Sequence, residues 1–190
     1  VHYDKSRAGT GLARSFAQVL TERDNDIIIG LVPAACGGSP ISSWTPGGYH
    51  EQTDSHPYDD AIERTRRALQ DGRLAGILWH QGETDSRPQR AAVYKENLSE
   101  LIERLRHDLD APDVPFIIGQ LGQFEGKPWT EARHQVDRAQ KEVAAETAHS
   151  AFVSSDGLTA KADNTHFNRE SLQEFGRRYA DAWLEVAGKK

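Results

Sequence analysis

The chain has 190 residues and a formal net charge of −6 with no cluster of basic residues, so its sequence predicts neither a nucleic acid nor an anionic membrane surface as a partner. No apolar run is long enough to cross a bilayer. The single cysteine, Cys36, excludes an internal disulfide and a zinc site built on several cysteines. A chain of this length is expected to fold as one domain over residues 1–190. Its sequence indicates neither a compartment nor an oligomeric state.

Helix and strand patterns alternate along the first half of the chain. An apolar stripe at helical spacing predicts a helix over residues 11–23. The β-branched run over residues 27–35 predicts a buried strand that ends in a pair of glycines. A second helix is expected over residues 55–71, followed by a short apolar strand over residues 75–79.

The second half of the chain repeats this alternation. Residues 89–110 form the longest amphipathic pattern and predict a helix with charged residues opposite an apolar face. Strands are expected over residues 114–121 and 151–154, with a helix over residues 129–147 between them. The last helix is expected over residues 169–186.

Four apolar strands separated by amphipathic helices predict an α/β fold, in which a parallel sheet is covered by helices on both faces. Ligands of such folds bind beyond the carboxyl ends of the strands. Polar or glycine-rich segments follow all four predicted strands at that edge. They are Gly37-Gly38, residues 80–85, Gln120, and Asp156 with the loop of residues 163–168.

The sequence Asp163-Asn164-Thr165-His166 places a carboxylate three residues before an imidazole. Within one turn, this spacing lets Asp163 accept a hydrogen bond from one ring nitrogen of His166, which fixes the tautomer and leaves the other nitrogen free as a base. A structural alternative is a turn that caps the last helix, with Asn168 as the N-cap.

The segment His80-Gln81-Gly82-Glu83 follows a predicted strand directly. The amide of Gln81 is a neutral donor that can face a developing oxyanion, and Glu83 is a carboxylate close to a histidine. Capping of the following helix is the structural alternative, although the six consecutive polar or glycine residues 80–85 exceed what a cap requires.

The glycine pair Gly37-Gly38 allows backbone N–H groups to approach a ligand closely, or forms an ordinary tight turn. The segment that starts there, GGSPI, does not match the G-x-S-x-G nucleophile motif, because its fifth residue is Ile41. Trp44 and Trp129 are predicted to lie in or beside loops, where they either stack on a sugar ring or pack as core residues.

These segments together resemble the SGNH-hydrolase superfamily, in the branch of sialate O-acetylesterase-like proteins and acetylxylan esterases of carbohydrate esterase family 6. The resemblance covers essentially the whole chain and is carried by three segments in order. They are GLVPAACGGSPISSW, LWHQGETDS, and DNTHFN with a following helix that contains FGRRYA.

The resemblance implies a three-layer α/β/α sandwich with a flavodoxin-like sheet, and hydrolysis of O-acetyl groups on carbohydrates without a metal or other cofactor. It makes His166 the general base and Asp163 its orienting acid, with Glu83 as an alternative or additional carboxylate. Gln81 and a backbone N–H of the Gly37-Gly38 turn are expected in the oxyanion hole. Acetylated xylan and acetylated sialic acid both remain open as substrates.

One departure from the family pattern concerns the nucleophile. The family begins with a strand that leads into a G-Q-S-N-like block, whose serine attacks the ester, and no such block is present in this sequence. The serine is therefore expected upstream of Val1, on a strand between those predicted at residues 27–32 and 75–79. The 190 residues by themselves are expected to be nearly inactive, and Ser39, Ser42 and Ser43 are the alternatives to the missing serine.

Two other functions fit the same residues. A metal-dependent hydrolase would bind its ion through His80, Glu83 or Asp85, and the Asp163–His166 pair, although no compact ligand pair such as H-E-x-x-H is present. A non-catalytic carbohydrate-binding relative would keep the cleft, although binding alone needs no base–acid pair.

Overall fold

The computed structural model describes residues 11–188, and both ends of the predicted domain lie outside that range. Six α-helices and three β-strands are present in the described residues. The helices are α1 (Ala13–Arg23), α2 (Pro57–Ala68), α3 (Pro88–Ala91), α4 (Tyr94–Asp108), α5 (Glu131–Glu146) and α6 (Arg169–Val186). The strands are β1 (Ile77–Trp79), β2 (Phe116–Gly119) and β3 (Ser150–Val153). None of these helices combines the length and apolar character needed to cross a membrane.

The three strands form one parallel sheet in the order β1-β2-β3. Phe116 on the central strand lies opposite Ile77 on one side and Ser150 on the other. All four residues of β2 are buried, as expected for the middle of a parallel sheet. Three of the four predicted strands are therefore confirmed, each within two residues at its ends.

The side chains of β2 alternate between two hydrophobic cores, because successive residues of a strand point to opposite faces. Phe116 and Ile118 pack with residues of α2, α4 and α5. Ile117 packs on the other face with residues of α1 and α6. Helices thus cover the sheet on both sides, which confirms the predicted three-layer α/β/α arrangement.

The strand predicted over residues 27–35 is not formed, and this prediction is wrong for the described structure. The segment has no regular secondary structure and pairs with no strand among residues 11–188. Ile28 is 98% exposed and Leu31 is 48% exposed, whereas Ile29 packs partly on the core beside α1 and α6. A β-branched composition favours a strand only where a neighbouring strand supplies hydrogen bonds and a packing surface.

The loop before α6 ends in a cap, as its sequence suggested. Oδ1 of Asn168 accepts a hydrogen bond from the backbone N–H of Ser171 at 2.8 Å. The capping alternative for residues 163–168 is therefore confirmed, and it coexists with the arrangement of Asp163 and His166 described below. The cap fixes where the loop meets α6 and so helps to place that pair.

Candidate active site

The carboxyl ends of the three strands bring the predicted site segments to one edge of the sheet. Residues 80–85 follow β1, Gln120 follows β2, and residues 154–156 follow β3. Gln120 joins the last two of these segments, because its Nε2 donates to Asp137 on α5 at 2.8 Å and its Oε1 accepts from the backbone N–H of Ser155 at 2.9 Å.

Asp163 and His166 form a hydrogen-bonded pair in the loop before α6. Nδ1 of His166 lies 2.8 Å from Oδ2 of Asp163, and the backbone N–H groups of Thr165 and His166 both donate to Oδ1 at 2.9 Å. These donors hold the pKa of Asp163 well below its ordinary value, the backbone N–H of His166 first and its ring second. The left-handed conformation of Asn164, with φ 50°, makes the tight turn that brings them together.

The other ring nitrogen of His166 remains available for chemistry. The side chain is 70% exposed, and Nε2 forms no hydrogen bond with any residue from 11 to 188. A carboxylate on Nδ1 fixes the tautomer in which a proton sits on Nδ1 and Nε2 accepts. The geometry therefore joins the predicted base to its predicted partner, while the catalytic roles of the two residues stay predictions.

Glu83 lies beside His80, so it is not the carboxylate that Nδ1 of His166 contacts. Oε1 of Glu83 is 3.9 Å from Nε2 of His80. The His80 ring packs against Phe167 and Phe175, with its centroid 5.6 Å and 5.5 Å from theirs. Burial lowers the pKa of His80, and the charge of Glu83 opposes that shift. Asp163 is thus the partner of His166 in this structure.

Arg133 is a candidate site residue that the sequence patterns did not indicate. It lies in the first turn of α5 and is only 6% exposed, and its Nε and Nη2 atoms contact no hydrogen-bond acceptor among the described residues. Its guanidinium lies 5.7 Å from the centre of the Trp129 ring. Burial lowers its pKa, and the charge of Glu83 acts in the opposite direction. No local signal reveals this proximity, since fifty positions separate Glu83 from Arg133.

The amide of Gln81 is held by hydrogen bonds on all sides. Nε2 donates to the backbone oxygen of Ser39 at 2.9 Å and to Oδ2 of Asp85, and Oε1 accepts from the hydroxyl of Tyr94 at 3.0 Å. Both amide hydrogens are therefore used within the protein. A role for Gln81 in the oxyanion hole stays a prediction, and it requires Nε2 to exchange one of these acceptors for the substrate.

The Gly37-Gly38 turn presents free backbone donors. The oxygens of the two glycines accept hydrogen bonds from His50 at 3.1 Å and from Thr84 at 2.9 Å, whereas their N–H groups donate to no residue among 11–188. Gly38 has φ 74°, and a Cβ there would lie 2.8 Å from Oε1 of Gln52. The carbonyl oxygens of this left-handed turn are engaged by His50 and Thr84, and its N–H groups are free. The turn is therefore suited to donate hydrogen bonds to an oxyanion.

The structure contradicts the prediction that Trp44 contacts a sugar. Trp44 is 7% exposed and packs edge-on against Trp79 with ring centroids 5.1 Å apart. Its indole N–H donates to Oγ of Ser39 at 2.9 Å. The loop folds Trp44 back into the core, because burial of so large an apolar ring is favourable and its single donor finds an acceptor there.

Trp129 is half-buried, and its substrate role stays a prediction. Its indole N–H donates to the backbone oxygen of Gly122 at 2.8 Å, and its ring contacts Arg133 and His134. These contacts fix the ring just before the first turn of α5, beside the edge of the sheet that carries the site segments.

No serine hydroxyl among residues 11–188 forms a hydrogen bond with His166. Ser39 and Ser43 are buried, and their hydroxyls donate to the backbone oxygens of Cys36 and Pro40. Ser42 is exposed. Neither buried hydroxyl is placed to transfer a proton to the Asp163–His166 pair.

The arrangement of acidic and imidazole groups does not favour the metal-dependent alternative. Within residues 11–188, no three His, Cys, Asp or Glu side chains are grouped so that they could hold a metal ion. Asp85, one of the proposed ligands, directs its Oδ2 at the backbone N–H of Ile41 and at Gln81 instead.

The fold agrees with comparisons to known proteins. A family model described as "Carbohydrate esterase, sialic acid-specific acetylesterase" matches residues 1–185. The chain belongs to this family. The membership confirms the resemblance to the sialate O-acetylesterase-like carbohydrate esterases.

One relative is similar to this chain in both sequence and structure. A protein described as a "Probable carbohydrate esterase" from Arabidopsis thaliana is 30% identical over 181 residues, which are 93% of this chain and 64% of that protein. The chain therefore spans somewhat less than two thirds of that relative. The X-ray structure of the Arabidopsis protein has a TM-score of 0.82 at 31% identity and is matched over 96% of this chain and 71% of that one.

A more distant crystal structure shares the fold. A carbohydrate acetylesterase from Xanthomonas citri has a TM-score of 0.74 at 23% identity, over 94% of this chain and 41% of that one. At this identity, the similarity shows the fold alone.

Proposed function

We propose that the protein is a serine esterase that removes O-acetyl groups from carbohydrates, with His166 as the general base and Asp163 as the residue that orients it. The observation that carries the proposal is the 2.8 Å contact between Nδ1 of His166 and Oδ2 of Asp163, which leaves Nε2 free. Membership in a carbohydrate esterase family supports the substrate class.

The reaction follows from these groups. A serine oxygen attacks the acetyl carbonyl while Nε2 of His166 takes the hydroxyl proton. The N–H groups of Gly37 and Gly38 stabilise the oxyanion that forms, with Gln81 as a further donor. The sugar oxygen then leaves with the proton from His166, and an acetyl-enzyme remains. Water, deprotonated by His166, attacks that ester and releases acetate and the free serine.

We further propose that the nucleophilic serine belongs to a strand from a segment that precedes Val1 in the natural protein. Two observations support a strand at this place. The edge of β1 that faces away from β2 pairs with no strand among residues 11–188, and the apolar side chains of residues 27–32 are largely exposed. Because neighbouring strands lie about 4.8 Å apart, one inserted strand would need about 10 Å between the two segments.

The substrate is proposed to be an O-acetylated sugar. The description of the family model names sialic acid, which makes acetylated sialic acid the first candidate. Acetylated xylan remains the second candidate. A panel that contains both substrates, with acetate release as the readout, distinguishes them directly.

The test compares the 190-residue chain with the longer gene product, extended by the residues encoded upstream of Val1. We expect acetate release from the longer protein and almost none from the shorter. In the longer protein, His166→Ala should lower kcat by about 1,000-fold or more. His107→Ala is the matched control, because His107 also pairs with an aspartate, Asp108, at 2.9 Å, but lies in the last turn of α4 with 88% of its side chain exposed.

Three outcomes would overturn parts of this proposal. Acetate release from the longer protein that survives His166→Ala would exclude His166 as the base. Robust turnover by the 190-residue chain that depends on His166 would refute the upstream serine and direct attention to Ser42. A longer protein that binds glycans but releases no acetate would favour the non-catalytic alternative.

A further inference from the structure

We propose that the short hairpin of residues 49–55 recognises the sugar ring of the substrate, with Tyr49 and Gln52 as the contacting side chains. The inference rests on the proposed esterase function and deepens it, because it assigns the sugar and the acetyl group to different parts of the site. The glycine turn would bind the acetyl carbonyl, and the hairpin would bind the sugar that carries it.

The hairpin is a defined structural unit. The backbones of His50 and Ser55 exchange two hydrogen bonds, of 2.9 Å and 3.4 Å, in an antiparallel bridge. A single 3-10 turn, Glu51–Thr53, connects them, and Asp54 closes the loop with φ 47°. The hairpin therefore holds its outward side chains on a fixed backbone.

Two contacts and one close approach connect this hairpin to the glycine turn and to Cys36 just before it. Nε2 of His50 lies 3.1 Å from the backbone oxygen of Gly37, and Sγ of Cys36 lies 3.0 Å from Oγ1 of Thr53. Gln52 extends over Gly38, where its Oε1 would be only 2.8 Å from a Cβ at that position. A group bound to the N–H donors of the turn would thus have the hairpin as its neighbour.

Gln52 supplies hydrogen-bonding capacity at this position. Its side chain is exposed and forms no hydrogen bond with any residue between 11 and 188. A primary amide presents two donors and one acceptor oxygen, which matches the mixed donor and acceptor character of sugar hydroxyls. Because Gly38 has no side chain, the Gln52 amide can lie directly over the turn.

Tyr49 supplies an apolar surface whose orientation is already fixed. It is 52% exposed, its hydroxyl donates to Oδ1 of Asp54 at 2.9 Å, and its ring lies 5.3 Å from the ring of His56. A held aromatic ring can pack on the C–H face of a pyranose with little loss of side-chain entropy, which lowers the cost of binding. Trp44, by contrast, has no exposed face to offer.

The first experiment measures selectivity in the longer gene product. Tyr49→Ala and Gln52→Ala should each lower kcat/KM for an acetylated sugar, relative to kcat/KM for p-nitrophenyl acetate, by about ten-fold, through KM. A ten-fold change equals about 1.4 kcal/mol. Tyr49→Phe keeps the ring and should lose less than Tyr49→Ala. Glu51→Ala is the matched control on the same hairpin, and it should leave the ratio unchanged.

The second experiment does not depend on catalysis, so it separates failure of this inference from failure of the esterase proposal. N-acetylneuraminic acid and xylotriose, which carry no O-acetyl groups, are titrated against both the 190-residue chain and the longer protein by NMR. Saturable shifts at Tyr49, Gln52 and Gly38 with either sugar, weakened in Tyr49→Ala, support the hairpin as the sugar site. Shifts confined to other surfaces, no saturable shifts, or equal losses for the sugar ester and p-nitrophenyl acetate would overturn it.

Discussion

The carboxylate of Asp85 links the amide of Gln81 to a second loop by hydrogen bonds. One oxygen of Asp85, Oδ2, accepts hydrogen bonds from Nε2 of Gln81 at 2.5 Å and from the backbone N–H of Ile41 at 2.9 Å. Asp85 is 2% exposed. A buried acceptor shared between two segments fixes the distance between them, so it sets how the segment after β1 meets the loop that carries the glycine turn.

Asp85→Ala should therefore destabilise the protein. Without the carboxylate, the donors of Ile41 and Gln81 lose their buried acceptor, and we expect the free energy of unfolding to fall by about 2–4 kcal/mol. Asp85→Asn should cost about 1 kcal/mol, because its amide oxygen can take the position of Oδ2. Urea denaturation measures both, and equal losses in the two variants would contradict the role of the acceptor.

The difference in stability between Asp85→Asn and the natural protein should depend on pH. Burial raises the pKa of Asp85, opposed first by the hydrogen bond from Gln81. A raised pKa in the folded state means that this group favours folding most below the unfolded pKa of about 3.9, and that its contribution falls as pH rises through the folded pKa. The stability of Asp85→Asn relative to the natural protein should thus improve as pH rises above about 4. A constant difference over that range would show that burial does not penalise the charge.

Asp163 should remain ionised far into the acid range. The hydrogen bonds from His166 and Thr165 depress its pKa, so its contribution to stability is present above the unfolded pKa and is lost only as pH falls through the lower folded value. In carboxyl-detected NMR, the resonance of Asp163 should titrate below the resonances of ordinary aspartates.

Variants of His166 test the cause of this shift. His166→Ala removes the ring donor but keeps the backbone N–H, so the pKa of Asp163 should rise only part of the way to its ordinary value. Thr165→Ala, which keeps its backbone N–H, is the matched control. It should leave the pKa of Asp163 close to its value in the natural protein. An unchanged Asp163 titration in His166→Ala would show that the ring does not contact the carboxylate in solution.

Gly119 at the end of β2 permits a close approach by α6. A Cβ at this position would lie 1.8 Å from the hydroxyl oxygen of Tyr179, which is fully buried and donates to the backbone oxygen of Trp79 at 2.8 Å. Gly119→Ala should destabilise the protein by about 1–3 kcal/mol, because a packed core does not absorb an added methyl group. Gly72→Ala has no atom within 4 Å of the new Cβ. In thermal unfolding, this control should stay within about 0.5 kcal/mol of the natural protein.

Arg133 should contribute to activity at a cost in stability. Its buried Nε and Nη2 atoms contact no acceptor among residues 11–188. Arg133→Met replaces them with an apolar side chain of similar length and should raise the free energy of unfolding by about 1 kcal/mol. The same variant should lower acetate release by the longer protein, since it removes the positive charge near Glu83. A destabilised Arg133→Met with full activity would contradict both expectations.

Local patterns in the sequence determined most of the secondary structure. The helix over residues 169–186 was predicted with the bounds of α6, and the helix over residues 129–147 differs from α5 by two residues at its start and one at its end. The pattern over residues 89–110 predicted one helix, whereas the structure divides it into α3 and α4. Periodicity predicts helices well because the hydrogen bonds of a helix are local and its buried face repeats every three to four residues.

The sequence also determined the central feature of the site. Three positions separate Asp163 from His166, so one turn of the backbone is enough to bring their side chains together. The left-handed turn at Gly38 is likewise a local property, since glycine adopts a positive φ without a steric cost, while the role of Gly37 and Gly38 in the oxyanion hole stays a prediction.

Only the tertiary structure decided the remaining features, because they depend on contacts between distant residues. Residues 27–35 have a strand-like composition, yet strand formation requires a partner that supplies hydrogen bonds from elsewhere in the chain. The burial of Trp44 and the placement of Arg133 near Glu83 likewise depend on how separate elements pack. Such contacts produce no periodic pattern in the sequence, since each is set by the relative positions of whole elements and not by local spacing.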